Sequence, residues 1–152
     1  MAPQSLNGIR ILVIVMLVLL ALQFEFGMAV NLSSLPSLAP IPNTPAGYSS
    51  GFNTALAQAG AVAVIHASLG SLLALFAVAI LVTCLRSGRR SLQIFGGLAF
   101  LATLLAGTTG FLFVMSGFQN DNLSHGMATN FLLAYSFYFL VLYFLKPVSK
   151  AG

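Results

Sequence analysis

Charge is the scarcest property of this chain. Lys, Arg, Asp and Glu together make up 5% of its 152 residues, against roughly 25% in soluble domains, and 59% of the residues are hydrophobic. With a mean hydropathy of +0.99, the deficit excludes a water-solvated globule and makes lipid the solvent. One domain is expected, spanning 1–152, because every long apolar run must pack against the others. Cysteine is nearly missing as well. Cys84 stands alone, which excludes an internal disulfide and a thiolate pair for metal or redox chemistry. The net charge of +4 comes from six Lys and Arg residues that form no cluster interleaved with aromatics, so no nucleic-acid partner is expected. Strand-like alternation is lacking too, which excludes a membrane barrel.

What is present is four apolar runs, at about 9–30, 57–85, 92–117 and 123–146, each long enough for the roughly 20 residues that a helix needs to cross a bilayer. Lipid offers the backbone no hydrogen-bond partner, so the runs must be helices. The expected fold is an all-α, four-transmembrane-helix up-down-up-down bundle. The first run also has the look of a signal peptide, with Gly27-Met28-Ala29 as a small-residue cleavage site. Its length and single n-region basic residue favour a retained helix. The stretch 31–56 holds four of the six prolines among Ser, Asn and Gly and reads as an irregular loop lying over the bundle, a candidate lid. The other connections, at 86–90 and 119–122, are short and make the last three helices antiparallel neighbours.

Orientation follows from the basic residues. Arg10 precedes the first run, Arg86, Arg89 and Arg90 separate the second and third, and Lys146 and Lys150 follow the fourth. Four crossings place all six on one side, the cytoplasmic one, with both termini. The chain is therefore expected in a cell membrane of prokaryotic type. Glu25 and Asp121 fall toward the opposite side.

Ionisable residues inside a membrane segment are costly and hence functional candidates. Three qualify: Glu25, His66 and His125. The histidines lie about 28 and 31 Å above Leu85 and Lys146 at 1.5 Å per residue, so they share one layer near the outer boundary of the hydrocarbon. Two neutral imidazoles facing each other across a bundle core can clamp a porphyrin iron. Gly70, one turn below His66, and Gly107 and Gly110 in AGTTG would give a macrocycle room. Phe111, Phe113, Met115 and Phe118 are candidate walls, and Ser68, Thr108 and Thr109 candidate donors around the ligands. Each feature also has a plainer role. A single intramembrane histidine can hydrogen-bond a neighbouring helix or sit in the headgroups, and glycines permit close packing in any bundle. The Phe- and Tyr-rich fourth run is read as lipid-facing surface. Glu25 has three open roles: a bond to a histidine, proton transfer beside a quinone, or, as the default, snorkelling to water. The outer half offers no Arg or Lys for heme propionates, only neutral Asn53, Gln119, Asn120 and Asn122.

The second to fourth runs, roughly 90 residues, resemble a half-module of the heme A synthase family in the segments VIHASLGSLLAL, LQIFGGLAFLATLLAGTTGFLF and NLSHGMATNFLLA. The resemblance implies that His66 and His125 are axial ligands of a b-type heme. Two departures separate the chain from the catalytic members: Ala63 and Val64 stand where an acid precedes the helix-2 histidine, and the cysteine pair of the first outer loop is missing. A non-catalytic heme-binding half, or a small cytochrome b, is the implied function. Its partners would be other membrane subunits or a second copy, with a quinol or redox partner. The competing expectations are a structural accessory subunit of a larger membrane complex and, with least support, a transporter, for which no helix carries a midplane break.

Overall fold

The computed structural model of the protein describes residues 6–33, 35–45 and 47–145; Lys146 and Lys150 lie outside them. Among these residues the chain is all-helical. The elements are α1 (Leu6–Leu32), a π-helical turn (Gly47–Gly51), α2 (Phe52–Ala59), α3 (Ala61–Arg86), α4 (Arg90–Met115) and α5 (Asp121–Phe144). Four of them, α1, α3, α4 and α5, are long and apolar enough to cross a membrane, which makes this an integral membrane protein. The expected second helix begins later than its apolar run, because Gly60 breaks it. Gly60 adopts φ +94°, a backbone region costly for residues with a Cβ, and the chain turns there from α2 into α3. The Gly- and Ser-rich composition of 47–54 hid the short α2 inside an expected loop.

Each long helix carries one stripe of small and apolar residues at alternating steps of three and four, the a/d spacing of a left-handed supercoil. On α3 the stripe is Ala63, His66, Gly70, Leu73, Ala77, Ile80 and Cys84, of which Leu73, Ala77, Ile80 and Cys84 are fully buried. On α5 it ends in Ala134, Tyr138, Val141 and Leu145, all buried. The helices pack in a ring: α1 touches α3 and α5, and α4 touches α3 and α5. Hence α3 and α5 stand on one diagonal and α1 and α4 on the other. Stripes of small residues let backbones approach where no hydrophobic force separates helix from lipid. One close approach is between α3 and α4, where a methyl on Gly96 would lie 2.8 Å from Cys84 Cβ and 2.9 Å from its Sγ. Gly96→Val should therefore cost about 1–3 kcal/mol by overpacking and lower the thermal unfolding midpoint in detergent. Gly107→Ala, where a methyl meets nothing within 4 Å, should leave the midpoint unchanged.

At one end of the bundle Arg10 Nη2 donates to the carbonyl of Leu145 at 3.2 Å, tying the start of α1 to the free carbonyls that end α5. The other end is capped. The segment 35–45 runs against the α4–α5 connection, Leu38 N–H donating to Gly117 O (3.2 Å) and Ile41 N–H to Met115 O (2.9 Å). Gln119 Nε2 donates to Leu38 O. Gly117 has φ +69°, and a Cβ there would collide with the Leu38 carbonyl. Gly117→Ala should thus combine about 1–2 kcal/mol of left-handed strain with displacement of the cap. Faster protease cleavage within 35–45 would report it.

Candidate functional site

The buried apolar residues fall into two clusters with an unsealed layer between them. One fills the half of the bundle near Arg10, from Ile9 to Leu20 on α1 and from Leu73 to Cys84 on α3, with the matching stretches of α4 and α5. The other, under the cap, joins Ala55, Leu56, Ala63 and Val114 with Leu38, Ile41 and Phe118. The stripe positions between them belong to neither: Gln23 and Gly27 on α1, His66 and Gly70 on α3, Ala106 and Gly110 on α4, and Met127 on α5 are all only partly buried. The heptad spacing continues through this layer, yet its residues are too small or too polar to close it.

His66 is the chemical centre of the layer. Its ring lies against Gly27, where a methyl would sit 3.0 Å from Cε1, so only glycine on α1 leaves space for the imidazole. Gln23 Nε2 donates to His66 Nε2 at 3.2 Å. Two buried atoms of this pair, Gln23 Oε1 and His66 Nδ1, have no hydrogen-bond partner. Turning the amide over, so that His66 Nε2–H donates to Oε1, changes which atoms are donors but not the count. Either way one ring nitrogen is held by the amide and the other is bare. An unsatisfied buried polar atom costs roughly 1–3 kcal/mol; with Gln23 donating to Nε2 the ring proton sits on Nδ1, and only the turned amide, which accepts from Nε2–H, leaves Nδ1 a lone pair.

The remaining sequence-derived candidates distribute unevenly. Gly70 belongs to the layer; a methyl there would lie 3.4 Å from Gln23 Nε2. Gly110 does too, against Met127, whose Sδ would be 3.0 Å from such a methyl. Gly107 is exposed and faces open space. His125 is exposed on α5. It stands nine residues before buried Ala134, about 180° around the helix at 100° per residue, so the fold does not bring it to the face that carries Tyr138 and Val141. Glu25 is exposed as well, about 140° around α1 from Leu20. The hydroxyls of Ser68, Thr108 and Thr109 donate to carbonyls of their own helices, Val64, Leu104 and Leu105, and are not aimed into the layer. Phe111 stacks on Tyr48 and Phe52 (6.2 and 5.1 Å), and Phe113 meets Phe118 edge-on at 5.6 Å. These rings build the cap and its underside instead of the walls expected of them. Of the neutral propionate candidates, Gln119 is committed to Leu38, while Asn53, Asn120 and Asn122 are exposed.

Two residues of the layer, Gln23 and Met127, were not among the sequence candidates, although both sit on the three-four stripes. Among the described residues no group of three or more His, Cys, Asp or Glu side chains gathers as a metal site. On the outer side of the α1–α3 seam an apolar groove of about 410 Å³ is lined by Leu22, Phe26, Val64, Ile65, Ser68, Leu69 and Leu72, without Gln23 or His66. No protein-family model, curated protein or solved structure matches this chain.

Proposed function

We propose that the protein is a membrane-embedded heme b subunit for electron transfer, not itself an enzyme, in which His66 is the iron ligand contributed by α3. The observation that carries this reading is the single unsealed layer, closed by apolar clusters on both sides and holding a histidine with one bare ring nitrogen. What supports the reading is the polar side chains of this layer: an imidazole held by Gln23, with Gly27, Gly70 and Gly110 giving room to the side chains of His66, Gln23 and Met127. A bound heme b would supply a reversible one-electron carrier. The second ligand comes from α5, across the diagonal, where His125 and Met127 are the candidates.

In this reading the bundle runs up-down-up-down with both termini in the cytoplasm. The Arg10–Leu145, Cys84–Gly96 and Met127–Gly110 contacts suit such a path, and the distribution of all six basic residues favours cytoplasmic ends. The capped layer then lies toward the outer face of a prokaryotic-type cell membrane. Electrons would come from a quinol or a redox partner. Outward-facing Glu25 and His125 favour contact with other membrane subunits or a second copy, because ionisable groups facing lipid are costly. The same two residues are what supports the alternative, a structural accessory subunit.

A visible spectrum of the protein purified from heme-replete cells separates the two. The heme reading requires Soret and alpha bands that sharpen on reduction. A colourless, folded preparation would falsify it.

A further inference from the structure

We propose that the outward face of α5 is a pairing surface for a second copy of this chain, an inference that rests on the membrane-spanning bundle and holds with or without a heme. α5 carries two stripes. The inner one ends in Ala134, Tyr138, Val141 and Leu145 and is buried in the bundle. About half a revolution away runs a second: His125, Thr129, Leu132, Ser136, Phe139 and Tyr143, at alternating steps of four and three. This is again the seam spacing of a left-handed supercoil, yet all six residues are exposed, with Leu132, Phe139 and Tyr143 at 61%, 57% and 58%. From His125 to Tyr143 the stripe rises about 27 Å, close to the roughly 30 Å of hydrocarbon that a bilayer presents.

Two hydroxyls on this stripe differ from those of the other spans. Beyond the first turns of α3 and α4, Ser68, Ser71, Thr83, Thr103, Thr108 and Thr109 each donate to a carbonyl three or four residues back. Thr129 and Ser136 make no hydrogen bond among the described residues, and they face lipid, which accepts none.

The occupant follows from the chemistry. No Lys, Arg, Asp or Glu stands on the stripe, so an identical face meets it without repulsion. Hydroxyls and neutral imidazoles both donate and accept, and each can therefore pair with its own duplicate. A copy related by a two-fold axis along the membrane normal runs parallel and sets every residue of the stripe opposite itself. Glu25, which faces outward from α1, has no such option, because carboxylates only accept and repel one another. Hydrogen bonds among Ser, Thr and His hold helices together where lipid removes the hydrophobic force between them. The plainer role of the stripe is lipid contact, and the experiment distinguishes the two.

Cell membranes containing the full chain as wild type, Leu132→Cys, Ser136→Cys or Leu75→Cys are oxidised with copper-phenanthroline. Leu75 faces lipid from α3 and native Cys84 is buried, so Leu75→Cys and the wild type are controls. We expect disulfide-linked dimers of Leu132→Cys and Ser136→Cys, and monomers of both controls. Pairing is then measured in liposomes by energy transfer between donor- and acceptor-labelled copies. Thr129→Val combined with Ser136→Ala leaves the buried face of α5 intact and should weaken pairing roughly three- to tenfold, without moving the thermal midpoint of the dilute monomer. Monomers at every protein-to-lipid ratio, equal cross-linking of Leu75→Cys and Leu132→Cys, or unchanged pairing in the double variant would overturn the proposal. Absorbance of the same liposomes tests the heme reading separately, and neither result decides the other.

Discussion

Replacing His66 with alanine is expected to abolish heme binding altogether, the largest effect of any single substitution in this protein. The reason is positional. His66 is the one imidazole on the interior stripes of the four long helices, and it occupies the layer that neither apolar cluster closes. Its removal deletes the ligand while leaving both clusters untouched, so the bundle should survive. The stability change is confined to the newly stranded Gln23 amide, about 1–3 kcal/mol. Two companions make the result interpretable. His66→Gln preserves a hydrogen bond to Gln23 without an imidazole nitrogen and should be as colourless as the alanine variant. Free imidazole added to His66→Ala should fill the vacated space and restore a Soret band. Retention of heme by His66→Gln would show that the residue only links α1 to α3.

The second large effect is expected at Gln23. Polar groups that fix a metal-bound histidine typically contribute 10–100-fold in affinity when removed. Gln23→Leu keeps the shape of the side chain but frees the ring nitrogen it holds at 3.2 Å. Heme loss to apomyoglobin should become faster by about that factor, and the midpoint potential should move with it. The midpoint is the more telling quantity, because mere loosening of the α1–α3 seam would change retention without changing the electronics of the iron. Wild-type retention and potential in Gln23→Leu would remove the amide from the site.

The four spans were legible because their signal is simple: length and apolarity, interrupted by Arg, Gly, Ser and Asn. The short α2 was not, since GYSSGFNT reads as loop by composition and is held helical by packing of Ala55 and Leu56 beneath the cap. The orientation of the helices was harder still. In a soluble helix the polar face declares itself, whereas here lipid-facing Leu75 and Leu132, at 70% and 61% exposure, are as apolar as anything inside. Depth could be counted along the chain, and so His66 and His125 were paired by depth. Facing required a different clue, the stripe of small residues. Ala63, Gly70 and Ala77 at three-four steps place His66 inside; Ala134, nine residues on, places His125 outside. The same stripes hold Gln23 and Met127, which drew no attention because neither is ionisable.

The hydrogen bond from Arg10 to Leu145 joins residues 135 positions apart, and its meaning extends to how the protein is made. Of the described helices α1 is synthesised first and is a neighbour of α5, which is synthesised after the others, and the ring cannot shut until α5 has been made. Every earlier intermediate presents α1 and α3 with one flank open to the membrane, and the layer around His66 lacks its fourth wall until α5 arrives. In the heme reading, loading would wait for α5: a chain that lacks it has no enclosed layer around His66.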